Sequence, residues 1–213
     1  MTAKATPHKR HRISRAVAEV RATLAEVGEL PLWSMPAPEA AETLTEIAKL
    51  KSQVAALELR AAKHAQTQKV EAASGATSTA AWLAVATHAT RRETARTMRL
   101  AGQLDTMPTV AQALGRGELL LEQAEVIARA IDKLPNDTDP QIREQAQVEL
   151  VELARHHDAK DLTIFGNRIL DIVCPEVGEA AEAEAWLARS GKPRRRASSR
   201  CSTTGRAGPT AGS

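Results

Sequence analysis

The sequence predicts an all-α fold: a long N-terminal helix, then a bundle of five or six shorter helices, then a disordered basic tail. Three observations predict it. Apolar residues recur at steps of three and four between Glu39 and Ile172, the spacing that lines one face of a helix. Only Trp33, Trp82, Phe165 and Trp186 are aromatic and Tyr is absent, so the core must come from Leu, Ile, Val and abundant Ala, which suits close-packed helices better than strands. Finally, Ser, Thr or Asp stands before most of the periodic runs, and Gly or Pro stands after them.

Residues 1–38 read as a loosely structured basic lead-in. Val17, Val20, Leu24 and Val27 allow a short amphipathic piece, which Gly28 ends and Pro31, Pro36 and Pro38 keep from continuing. From about Ala40 to Ala72 a single helix is expected, with Leu44, Ile47, Leu50, Val54, Leu57 and Ala61 as its apolar stripe. A stripe so narrow on a helix so long calls for a partner helix, either in the same chain or in a second copy.

Ser74 and Gly75 break that helix. Trp82, Leu83 and Ala86 mark the next, over Ser78–Thr87. Thr90 with Glu93 forms a capping box for a helix from Arg91 to about Leu104, with Ala95, Met98 and Ala101 facing inward. Pro108 suits the first turn of a short helix through Leu114, closed by Gly115 and Gly117. Glu118–Leu134 offers Leu120, Ala124, Ile127, Ile131 and Leu134 before Pro135. Asp139-Pro140 starts a helix with Ile142, Ala146, Leu150 and Leu153 inside. Asp158 caps the last, which carries Leu162, Phe165, Ile169 and Ile172 and ends at Cys174-Pro175. The helical domain is therefore expected over residues 39–186 and the tail over 187–213.

Charge is segregated. Residues 1–21 carry six Lys or Arg against Glu19 alone, and residues 185–213 carry seven against no acid, so the body between them is acidic although the chain is +3 overall. Basic ends attract phosphate backbones through counterion release, or simply stay solvated. No apolar run approaches the roughly 20 residues that cross a bilayer, and the basic start lacks an apolar h-region, so a cytoplasmic protein without a membrane partner is expected. Cys174 and Cys201 form neither a disulfide framework nor a metal spacing, and no cofactor is expected.

Few residues suggest chemistry. Met107–Ile131 superficially resembles a helix-turn-helix, but its reading helix would expose Glu118, Glu122 and Glu125 to phosphates. Adjacent His156 and His157 point about 100° apart on a helix and cannot both face one ion, so they read as a helix C-terminus beside the cap Asp158. His64 and His88 stand alone on Ala-rich faces. Arg92, Arg96 and Arg99 fall on one side of their helix and either contact nucleic acid or, as favoured here, pair with the acids between Glu118 and Glu125. With Lys192, Arg194, Arg195 and Arg196 of the tail, they are the candidate nucleic-acid contacts. Self-association through the long helix is the other candidate interaction.

Several blocks occur in order between Ser78 and Val173: Ser-Thr-Ala-Ala-Trp-Leu-Ala, an Arg-rich helix, Leu-Asp-Thr-Met-Pro-Thr-Val-Ala-Gln-Ala-Leu-Gly-Arg-Gly-Glu, Glu-Gln-Ala-Glu-Val-Ile-Ala-Arg-Ala, Leu-Pro, and a helix ending Arg-Ile-Leu-Asp. This run resembles the helical domain of unknown function 222 (DUF222) of actinobacteria, especially mycobacteria, in the 13E12 repeat family. The resemblance implies a helical domain that usually precedes an HNH endonuclease domain, in copies repeated in the genome and associated with mobile elements. An HNH site needs a His to activate water, an Asn, and a His ligand for a divalent metal. No His or Asn follows Asn167, so no catalytic residue carries over and a non-catalytic, truncated member is expected. A change of reading frame near Ala185–Ser190 is the expected cause: codons can be chosen for Arg200–Ser213 whose neighbouring frame resembles the segment joining helical domain and nuclease in relatives.

Overall fold

The computed structural model describes residues 10–169, and among them the regular elements are eight α-helices and one 3-10 turn, without strands. Cys174, Ile172 and the tail from residue 187, with Lys192, Arg194, Arg195 and Arg196, lie outside the described residues. The chain divides into two compact units, residues 1–51 and 52–213.

The first unit contains α1 (Arg12–Val27) and the opening of α2 (Ala37–Thr67). The amphipathic piece expected in the lead-in is thus a helix of 16 residues, capped by His11, whose Nδ1 accepts from the Ile13 N–H at 3.2 Å. None of its side chains is buried.

In the second unit α2 presents Ser52, Ala56, Leu59 and Ala62 inward. The apolar stripe for which the sequence asks a partner helix is not the side covered within this chain: Leu44, Ile47, Leu50, Val54 and Ala61 are exposed, while Leu57 is half-buried. Small side chains win this face because they permit close approach: a Cβ built on Gly115 would lie 4.0 Å from that of Ala56. After a 3-10 turn at Val70–Ser74, tied to the next helix by the Thr79 hydroxyl donating to Glu71 at 2.7 Å, comes α3 (Thr79–Thr87), with Thr79 and Ala84 buried, Trp82 and Leu83 half-buried, and Ala86 exposed.

The capping box expected at the start of α4 (Arg91–Asp105) is present: Thr90 N–H donates to Glu93 at 3.0 Å and Glu93 N–H to the Thr90 hydroxyl at 3.2 Å. Hydrogen bonds from the Thr90 hydroxyl and N–H hold the Glu93 carboxyl below its ordinary range. Thr94, Leu100, Ala101 and Leu104 are the buried positions of α4, whereas Ala95, expected inside, is exposed on the arginine side. Pro108 opens α5 (Pro108–Arg116) as expected. Gly117, at φ 75°, closes it, whereas Gly115 lies inside the helix.

The centre of the unit is α6 (Leu121–Asp132), which packs against α4, α5, α7 (Pro140–Leu153) and α8 (Ala159–Asn167). Eight of its twelve residues are buried, and Glu122, Arg129 and Asp132 leave it only a narrow polar face. Leu119 fills the core just before it, whereas Leu120, expected inside, is its half-exposed N-cap. Two long polar side chains fasten its ends. Gln123 accepts from Leu120 N–H at 2.8 Å and donates to the carbonyls of Ala154 and His157, at 2.9 and 2.8 Å, tying the first turn to the α7–α8 connection. Arg143 donates to the carbonyls of Ile131, Leu134 and Pro135, satisfying the acceptors that a helix C-terminus leaves open. Asp139 and Asp158 cap α7 and α8 as the sequence predicts, Asp158 accepting from Lys160 and Asp161 N–H at 2.8 and 2.9 Å.

Helices α6 and α8 cross closely at Gly166, where a Cβ would stand 2.7 Å from that of Ala130. Gly166→Ala is therefore expected to lower stability by about 1–3 kcal/mol, the usual cost of forcing a methyl into a packed core. Urea unfolding of this variant and of Gly166→Ala with Ala130→Gly measures it; the second change should restore most of the loss.

Candidate functional site

The arginine stripe of α4 is the sequence-predicted site that falls within the described residues. Arg92, Arg96 and Arg99 are all exposed and lie opposite the buried face of the helix. The structure separates their roles. Arg96 makes an ion pair with Glu125 of α6, whereas Arg92 and Arg99 make none among the described residues. The pairing expected between the stripe and the acids of α6 is thus formed at one arginine, and it holds Arg96 firmly protonated through its hydrogen bond to Glu125.

Glu125 departs from the sequence expectation. The helix-turn-helix-like segment would expose it together with Glu118 and Glu122, but only those two are exposed. The Glu125 side chain is 11% accessible, and the Arg96 side chain, 65% accessible, reaches over it from solvent. A carboxylate that deep is costly without a partner, which is why the arginine is drawn across. Its backbone carbonyl accepts from the Arg129 side chain at 3.1 Å as well. Glu118 instead binds Arg116 through two contacts of 2.7 and 3.1 Å, which hold its carboxyl below the ordinary range. The sequence carries one signal for the inward turn of Glu125: it sits in an unbroken run of apolar neighbours, Ala124, Val126, Ile127 and Ala128.

The histidine pair serves structure. His157 packs edge-on against Phe165, ring centroids 4.8 Å apart, and lies 3.5 Å from Asp161, while His156 is exposed. Both follow the end of α7, in keeping with their reading as a helix terminus. Among the described residues no group of three or more His, Cys, Asp and Glu is arranged to hold a metal ion. One open groove of about 710 Å³ runs between α2, α4 and α5; Arg60, Lys63 and His64 line one wall, and Asp105 and Gln112 stand opposite. Lys63 bridges it to Asp105 at 3.3 Å.

These features define an all-α domain organised around a central helix, with a surface rich in charge. Residues 41–202 match the family described as Domain of unknown function (DUF222), and the chain belongs to that family. The match runs past the boundary expected at residue 186 and so gives no support to a change of reading frame near Ala185–Ser190. Compared with curated proteins and with solved structures, the chain has no match. No helix among the described residues is long and apolar enough to cross a membrane.

Removing Arg96 leaves a mostly buried carboxylate without its cation. Arg96→Ala is expected to cost about 1–2 kcal/mol, and much less in a Glu125→Gln background, where no charge is stranded. A double-mutant cycle by chemical unfolding reads the coupling; additive costs would mean the pair is incidental.

Proposed function

We propose that this helical domain is non-catalytic and works by presenting helix surfaces, as the accessory part of an HNH-endonuclease type of protein. The observation that carries this reading is the use made of its buried polar side chains. A general base or nucleophile must reach a substrate atom, with an open side and a partner that tunes it. Here Glu125 is covered by Arg96, Gln123 is spent on three backbone groups, and Arg143 on three carbonyls. Buried Thr79 and Thr94 are likewise engaged, with Glu71 and with the backbone of α4. Each holds elements together; buried Gln147, whose Oε1 has no partner among the described residues, is a neutral amide with no basic or nucleophilic group to offer. The accessory role itself comes from the resemblance to proteins in which such a domain precedes a nuclease.

The second reading, a DNA-binding accessory, has one observation in its favour: Arg92 and Arg99 are exposed and unpaired among the described residues. Against it, Glu122 lies exposed in the first turn of α6, where it repels phosphate.

Two assays separate the readings. Purified protein with supercoiled plasmid and magnesium, manganese or zinc should leave the plasmid intact; nicking that co-purifies with the protein and is abolished by chelator would overturn the non-catalytic reading. Binding to a labelled duplex, titrated with salt, should be unchanged by joint Arg92→Glu and Arg99→Glu substitution. A large loss of affinity, with a shallower salt slope, would instead establish the DNA-binding reading.

A further inference from the structure

We infer that the chain forms a dimer in which α1 of each copy is covered by the opening half of α2 of the other. The inference rests on α1 and the opening half of α2 and is independent of whether the domain is catalytic. Within residues 10–51 no side chain is buried, yet eleven large apolar residues stand between 37% and 87% exposed. Covering them would bury on the order of 1,000 Å² per chain, against the ~800 Å² per partner of a standard interface and the few hundred that monomers leave bare.

Their arrangement describes the cover. On α1, Ile13, Val17, Val20, Leu24 and Val27 alternate steps of four and three, the seam of a two-helix coil. On α2, Leu44, Ile47 and Leu50 stand exposed, and the same alternation continues from Ile47 through Val54. Both seams face solvent, so each needs a helix that carries a seam of its own, and this chain supplies two.

Charge decides which helix meets which. Residues 10–27 hold four arginines against Glu19 and Glu26, whereas residues 28–48 hold Glu29, Glu39, Glu42 and Glu46, with Lys49 and Lys51 only beyond them. Parallel pairing of α1 with α1, or of α2 with α2, brings like-charged starts together; parallel pairing of α1 with α2 brings opposite ones. Direction follows from the same charges. Parallel alignment sets Val17 and Val20 beside Ile47 and Leu50, lays the arginine-rich start of α1 along the acidic start of α2, and puts Arg21 next to Glu46 across the seam. Glu46 holds only Lys49 of its own helix, at 2.7 Å, with both side chains more than half exposed, and so remains open to Arg21.

A chain cannot readily make this parallel pair with itself. The connection would have to run back along α1, about 24 Å, within residues 28–36. Those residues instead fold into turns, with Leu30 N–H donating to the Val27 carbonyl and Met35 N–H to that of Leu32, at 3.1 and 3.0 Å. A second copy supplies the partner without strain, and the exchange repeats by two-fold symmetry.

Sedimentation of the full chain over a wide concentration range tests this. A mass twice 22.9 kDa is expected, and a monomer at every concentration overturns the inference. Val17→Glu with Leu24→Glu should abolish the dimer while leaving the helical circular dichroism of the second unit unchanged, since both side chains are exposed. Arg21→Glu or Glu46→Arg alone should weaken association roughly five- to tenfold, by turning two attractive contacts into repulsive ones. Mixing these two single variants should restore it. In the mixed dimer one seam sets the introduced glutamate of α1 against the introduced arginine of α2, and the other seam keeps the native Arg21 and Glu46 together. A dimer that forms but ignores both charge changes would overturn the α1–α2 exchange in favour of like-helix pairing.

Discussion

The burial of α6 on nearly every face is the constraint on which the rest of the described structure depends. A helix with four helical neighbours keeps only a narrow polar side, Glu122, Glu125, Arg129 and Asp132 at steps of three and four, and even there Glu125 is covered. Its ends and its contacts fix its position. Gln123 and Arg143 hold its two ends to backbone groups of the segments around it, and Gly166 lets α8 lie against Ala130 without an intervening side chain. Leu114, Leu119, Ile127, Leu150 and Leu162, all essentially inaccessible, fill the space around it.

That constraint also explains where the charged residues went. A central helix drawn from an acidic segment must either lose its acids or neutralise them, and here the exposed end keeps Glu122 while the interior keeps Glu125 under Arg96. The arginine stripe is therefore partly a structural device. Arg96 serves the interior, and Arg92 and Arg99, a turn to either side, face solvent. One helix face thus carries a structural residue between two that remain free to contact a partner.

Much of the fold was legible in the sequence because helix ends are local events. Thr90 with Glu93, Pro108, Asp139 and Asp158 all do what their types and spacings predict, since a cap needs only its own first turn. What could not be read was which face is covered. Periodicity finds the large apolar residues of α2 and asks for a partner helix without naming it, whereas the side buried within the chain is the one with Ser52, Ala56, Leu59 and Ala62, mostly small residues that allow close approach. Hydropathy ranks Leu44 and Ile47 above Ala56; packing distance reverses the order. The burial of Glu125 escapes a sequence reading for a different reason: its spacing sets it on the polar face with Glu122, Arg129 and Asp132, and what covers it is the Arg96 side chain from another helix. The arginine stripe of α4 is correctly placed by its spacing, since that helix does have a solvent face, and only the position of Ala95 within it differs.

Two kinds of apolar surface follow, one enclosed around α6 and one left open on α1 and the opening of α2, and the account stands on their difference. Hydrogen exchange of the backbone amides, followed at low and high protein concentration, measures it directly. Amides of α6 should be the slowest to exchange and independent of concentration, and those of α1 should be protected only at high concentration. Amides of α1 as protected as those of α6 at the lowest concentration, or α6 exchanging among the fastest, would contradict it.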